Sequence, residues 1–235
     1  MKALWHDIEC GSYSADLEIW EDLAKGADGA ILELGCGTGR VALHLARRGH
    51  EVIGIDREEE LVQLLADRGG GLSVQARLED MRGFFLDTDI ALAVGPMHVL
   101  QLLPSERDRC DCLLTICAHM LPGGRIALAI VEKPPPTEAP APLLDLCELD
   151  GWLYTSQLLS VAEEGDEIAI RRRRETVSPT GERSSEEDEV RLQALSAVQV
   201  EAEGASAGLR PVGRLKVPPT DPHLGSTIVV LERGD

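Results

Sequence analysis

Residues 31–40 read Ile-Leu-Glu-Leu-Gly-Cys-Gly-Thr-Gly-Arg, an apolar run that ends in Gly35, Gly37 and Gly39 and opens into a helical pattern over 41–48. Glycines at such a turn allow positive φ and leave no Cβ between backbone and ligand, while the first N–H groups of the helix point at something electron-rich. The chemistry on offer is the cradling of a small molecule by backbone. Two titratable side chains stand where they could join it. Asp56 closes the next apolar run, and His98 follows a later one in Gly95-Pro96-Met97-His98-Val99-Leu100-Gln101. His98 also neighbours Leu102 and Leu103, a setting that suits a satisfied, partly buried histidine as well as a proton acceptor.

A glycine loop of this kind needs a strand before it and a helix behind it. Upstream, Ser14 suits the cap of a helix with Asp16 and Glu18 in its first turn and Leu17, Trp20, Leu23 and Ala24 on its apolar face, ending near Gly26. Residues 5–13 are too irregular for an element and too rich in aromatic and polar groups for a tail, so they read as a lid, with His6 equally placed as a surface residue. Gly49 stops the helix behind the loop. Residues 50–56 form a short buried strand, and Asp56 also suits the cap of the next helix, which carries Glu58, Glu59 and Glu60 in its first turn and buries Leu61, Leu64 and Leu65.

Further strands are expected at 72–76, at 90–94 ending in Gly95-Pro96, and at 125–131. Between the last two, a helix after Ser105 has Cys110, Leu113, Leu114, Cys117 and Leu121 on one face and stops at Pro122-Gly123-Gly124. Strands alternating with helices imply a parallel sheet. The pattern breaks at 133–142, where five prolines exclude regular structure and mark an insertion. Residues 152–161 and 167–177 read as a hairpin, the turn Ser178-Pro179-Thr180-Gly181 leads to a third strand at 187–192, and together they predict an antiparallel cover over the ligand face. A helix over 196–207 and an antiparallel strand pair, 210–217 with 226–232, close the chain.

Bulk properties narrow the function. A chain of 235 residues with 43% hydrophobic content suits one domain with a substantial core. With 41 acidic against 23 basic residues the net charge is -18, which repels nucleic acid and anionic lipid. The basic run 171–174 is flanked by acids and reads as a solvated charge ladder. No segment approaches the roughly 18 apolar residues of a membrane span, and Trp5, His6, Asp7 and Glu9 do not make a leader, so a cytoplasmic location is expected. Six cysteines without C-x-x-C spacing indicate neither a disulfide framework nor a metal site.

The motif Glu33-Leu34-Gly35-Cys36-Gly37-Thr38-Gly39, with Asp56 at the end of the second strand, resembles the glycine-rich signature of class I S-adenosylmethionine-dependent methyltransferases of the small-molecule type. The resemblance implies an α/β fold: a Rossmann-like doubly wound sheet of order 3-2-1-4-5-7-6, strand 7 antiparallel, with the β cover inserted after strand 5. It divides the single domain into a lid and helix (1–30), a cofactor-binding core (31–133), the cover (134–195) and a terminal helix and strand pair (196–235). It also implies S-adenosyl-L-methionine as cofactor, with S-adenosyl-L-homocysteine as product. Asp56, next to Arg57, would accept the ribose hydroxyls. Asp80 and Met81, with Glu79, would hold the adenine. Glu33 would lie near the methionine ammonium, with Gly35, Cys36, Gly37 and Gly39 in the loop and Ala93 and Gly95 approaching by backbone. Tyr13 would close over the cofactor tail, and His98 is the first candidate for a catalytic base, at the place where such enzymes keep acceptor-side residues. The reaction would be in-line displacement on the sulfonium methyl by a small-molecule acceptor, with no metal, nucleic acid or membrane partner.

Two other functions fit parts of the same pattern. Gly37-Thr38-Gly39-Arg40-Val41-Ala42 satisfies the loose G-x-G-x-x-A dinucleotide fingerprint of an NAD(P)-dependent oxidoreductase, against which stand Gly35, Glu33, Asp80-Met81 and the terminal strand pair. A non-catalytic S-adenosylmethionine-binding regulator or subunit suits an acidic surface without an obvious base. The aromatic residues Trp5, Tyr13, Trp152 and Tyr154 fall in the expected lid and cover and point to a flat or cationic acceptor.

Overall fold

The computed structural model describes residues 1–132, 144–220 and 223–234. The proline-rich stretch 133–142 lies outside the described residues. A seven-stranded sheet forms the centre, built from β1 (Ala30–Leu34), β2 (Val52–Asp56), β3 (Val74–Leu78), β4 (Ile90–Gly95), β5 (Met120–Ile130), β10 (Leu209–Val217) and β11 (Ser226–Arg233). Its order is β10-β11-β5-β4-β1-β2-β3. β1 pairs in parallel with β2 and β4, whereas β11 runs antiparallel to β5 and β10. In core numbering this is the expected 3-2-1-4-5-7-6, with the seventh strand reversed.

Alternation along the strands sorts side chains into two core layers. Leu32 and Leu34 of β1 face α5 (Glu106–His119) and α6 (Ala197–Ser206), together with Ile126, Leu128, Val229 and Leu231. Ile31 faces the other way, towards α2 (Leu17–Ala24) and α3 (Arg40–Ala46), where Trp20, Val41 and Leu45 are fully buried. α4 (Glu59–Arg68) packs with Leu61 and Leu65 buried.

Several local expectations are corrected. Residues 5–13 are largely helical: α1 (Lys2–Cys10) buries Ala3, Trp5 and Ile8. Periodicity did not show it because tertiary partners, chiefly Tyr154 and Arg174 around Trp5, supply its order. Ser14 does not cap α2; its carbonyl accepts the Leu17 N–H, and Asp16 stands at the cap position without a capping hydrogen bond. Asp56 does not cap α4 either, since Glu58 holds that position. On α5 the buried face is Arg109, Cys112, Leu113 and Ile116 rather than the one containing Leu114, which is 51% exposed. The helix is turned so that Arg109 meets Glu203 on α6. It ends at His119, and Pro122 to Gly124 are accommodated in a register shift of β5 against β4.

The cover is a four-stranded antiparallel sheet, β6 (Leu144–Leu149), β7 (Trp152–Glu164), β8 (Glu167–Val177) and β9 (Arg183–Gln193). β6 was not expected. Val161, Ile168 and Leu192 anchor the cover on Val131 at the end of β5. The arginine run alternates, as a strand must: Arg171 and Arg173 pair with outer acids, so the solvated ladder holds for them. Arg172 and Arg174 turn inward to Asp145 and Glu9.

Candidate functional site

The glycine loop between β1 and α3 is formed as its composition demands. Gly35 and Gly37 have φ of 57° and 53°, in the left-handed region that side chains disfavour. A Cβ on Gly35 would strike Val99 of the 3-10 turn Val99–Leu102, and a Cβ on Gly37 would strike the imidazole of His6. Both positions therefore need glycine for space as well as for conformation.

Asp56 ties this loop to its surroundings. One carboxylate oxygen accepts the Gly37 N–H at 2.9 Å and the other accepts the Glu58 N–H at 3.0 Å. Each oxygen keeps a second lone pair, which suits two adjacent hydroxyl donors. A cavity of about 190 Å³ opens beside it at the carboxyl ends of β1, β2 and β3. Gly35, Asp56, Arg57, Glu79, Asp80 and Met81 line it, and Val99, Leu102 and Leu103 form its apolar wall. The two oxygens of Asp80 are engaged by the Arg82 guanidinium at 3.0 and 2.6 Å, and that ion pair holds the Asp80 carboxyl below its ordinary range. Arg82 also lines the cavity and was not expected there; nothing in its spacing marked it.

Glu33 lies beneath the loop and is buried, with Oε2 lacking any partner among the described residues. Burial pushes its carboxyl up to about 8, against the opposing influence of Arg40. Cys36 is buried against Gly54, and burial likewise raises its thiol. Ala93 and Gly95 are buried in β4, next to β1.

Tyr13 and His98, also expected at the site, are not among the residues lining this cavity. Tyr13 is buried under the Arg40 guanidinium, 5.1 Å from its ring, and Arg40 itself pairs with Asp16 at 2.6 Å. His98 sits beyond β4 with φ of 64°, its Nε2 2.8 Å from Ser226 Oγ. Burial lowers its pKa to about 4, so it is neutral at physiological pH. α1 covers the glycine loop in a way the sequence did not show. His6 lies on Gly37, and Asp7 accepts the Thr38 hydroxyl at 2.6 Å while pairing with Arg68. Among the described residues no cluster of three or more His, Cys, Asp or Glu could hold a metal ion, and no helix is long and apolar enough to cross a membrane.

Residues 31–124 match the family model described as a methyltransferase domain. The cypemycin N-terminal methyltransferase of a Streptomyces species is 27% identical over 114 residues, 48% of this chain and 46% of that protein. The chain thus matches less than half the length of this curated relative. Among solved structures, the sugar N-methyltransferase KedS8 from Streptoalloteichus sp ATCC 53650 superposes with a TM-score of 0.79 at 17% identity, over 100% of this chain and 93% of that one. The amino pentose methyltransferase CalS10 from Micromonospora echinaspora gives 0.75 at 19% identity, over 99% and 95%. The methyltransferase-domain match thus covers residues 31–124, and the order of the central sheet and the superposition over the whole chain are those of the class I methyltransferase fold.

Proposed function

We propose that this protein transfers a methyl group from S-adenosyl-L-methionine to the amino group of a small molecule of the amino-sugar type, in the cytoplasm. The observation that carries the cofactor is Asp56, which brackets the glycine loop and faces a cavity shared with Glu79, Asp80 and Met81. Asp56 would take the ribose hydroxyls, Met81 and Asp80 the adenine, and Glu33 the ammonium of the methionine tail. The amine acceptor is supported by the likeness to the sugar N-methyltransferase KedS8, and the amino-sugar class by the likeness to the amino pentose methyltransferase CalS10, both over at least 99% of this chain.

The sulfonium of the bound donor supplies an already activated methyl group. The chain's own residues have to orient the two reactants in line and exclude water, which is where most of the rate is gained. α1 and the cover do the excluding: Trp5 packs on Tyr154, and Glu9 joins Arg174 and Ser156 at 2.7 Å each.

The test is calorimetry with S-adenosylhomocysteine and with NADH, on the wild type and Asp56→Asn. We expect binding of the first ligand alone, weakened about tenfold or more in the variant through loss of a charged acceptor. Binding of NADH instead, or an unaffected variant, would reject the assignment. Labelled methyl transfer to amino sugars then separates an enzyme from a non-catalytic binder.

A further inference from the structure

His223 belongs to the loop between β10 and β11, and its imidazole stands 4.5 Å from the Tyr13 ring, centroid to centroid, at 45°. The loop is pinned on both sides of it. The Thr220 N–H donates to the His223 carbonyl at 3.1 Å, and His98 holds Ser226 at 2.8 Å. His98 and its neighbour Met97 both have left-handed φ, 64° and 51°, a costly arrangement in non-glycine residues that the surrounding packing must impose. Three segments far apart in the chain thus converge at the carboxyl edge of β4, beyond the glycine loop.

Resting on the methyl-transfer reading, we propose that His223 takes the proton from the ammonium group of the acceptor, with Tyr13 backing its imidazole and His98 acting through Ser226 to position the loop. One N–H bond of the ammonium breaks and one forms at the imidazole nitrogen. The freed lone pair on nitrogen becomes the nucleophile for the methyl carbon, the C–S electron pair stays on sulfur, and the imidazolium returns its proton to water.

The division of labour between the two histidines follows from their surroundings. His98 is buried, its Nε2 committed to Ser226, which makes it a positioning residue. His223 is half-buried and faces Asp145 and Arg172 of the cover, Arg40 and Asp16 of the core, Tyr13 and His98. Burial foremost, with Arg172 and Arg40, outweighs the two acids and keeps His223 below its ordinary value, so it is neutral at physiological pH with a lone pair available. A neutral imidazole nitrogen can accept a proton from an ammonium group, whose own pKa is about 8 to 10.

The experiment compares wild type, His223→Gln, His223→Ala and Ser226→Ala. S-adenosylhomocysteine binding is measured first by calorimetry and should be equal in all four. Methyl-labelled S-adenosylmethionine and a panel of primary amines and amino sugars then give kcat and KM from about pH 6 to about pH 9. Loss of a proton acceptor predicts a fall in kcat of about 100-fold for both His223 variants near pH 7, recovering at high pH as the amine deprotonates unaided, with KM little changed. Ser226→Ala should show a smaller fall of the same pH shape. Independently of activity, NMR titration of the His223 ring in the S-adenosylhomocysteine complex should give a midpoint below the ordinary histidine value. Variant profiles parallel to wild type, a raised midpoint, or transfer to hydroxyls or to no amine of the panel would overturn the inference while cofactor binding stands. Absence of S-adenosylhomocysteine binding by the wild type would overturn the methyl-transfer reading and this inference with it.

Discussion

Glu33 combines a charged residue type with a site that denies it water and leaves Oε2 without a partner. Its carboxyl is raised by burial to about 8, so from about pH 4.5 to 8 the folded chain holds a proton that the unfolded chain has released. Stability is therefore lost as pH rises through that window, by at most ~1.4 kcal/mol per pH unit. Glu33→Gln should remove this component. Denaturant titrations at pH 5 and pH 8 are expected to show a smaller pH difference in the variant than in the wild type, and equal slopes would mean that Glu33 ionises normally. A bound ammonium favours the carboxylate, so S-adenosylhomocysteine binding near pH 7 should release a proton, detectable by calorimetry in buffers of different ionisation enthalpy. The position of Glu33 was legible two residues before Gly35. The orphaned state of its Oε2 was not, because tertiary packing commits Arg40 to Asp16 instead.

At the scale of elements, α1 decides how the glycine loop and the cover work together. The middle of the helix lays His6 and Asp7 on Gly37 and Thr38, and its last turn sends Glu9 to Arg174 and Ser156 of the cover. Burial pushes the Glu9 carboxyl up, but the hydrogen bonds from Arg174 and Ser156 prevail and hold it below its ordinary value. Glu9→Gln should cost about 1–3 kcal/mol at this junction. Hydrogen exchange of the α1 amides should accelerate by roughly tenfold or more, and S-adenosylhomocysteine should dissociate faster. Unchanged exchange would mean that Trp5, packed on Tyr154, holds the helix unaided. α1 and β6 were missed for the same reason: each has a short or mixed apolar pattern and gains its order from neighbours. The inner strands β1, β2, β4 and β11 are buried on both faces, and their continuous apolar runs show that directly.

For the molecule as a whole, the central sheet is closed on one face by α5 and α6, and these are joined by the buried pair Arg109–Glu203, with contacts of 3.0 and 2.7 Å. Removing one member leaves the other charge buried, so Glu203→Ala should destabilise the fold by about 3–5 kcal/mol, whereas Arg109→Leu with Glu203→Leu should recover most of that loss. Thermal and denaturant unfolding of the two variants would check it, and equal loss in both would show that the pair contributes by attraction rather than by mutual neutralisation. The pair lies away from the glycine loop, so S-adenosylhomocysteine affinity should follow stability alone.

By itself, the sequence determined the sheet and its ligand loop, because strand burial, helix periodicity and the glycine spacing are short-range properties written residue by residue. It determined Asp56 as well, through its place at a strand end. The tertiary structure alone decided what stands opposite those residues: Arg82 on Asp80, His6 on Gly37, Ser226 on His98 and His223 on Tyr13. These contacts join segments far apart in the chain, and no local pattern encodes which of them the folded sheet brings to the same edge.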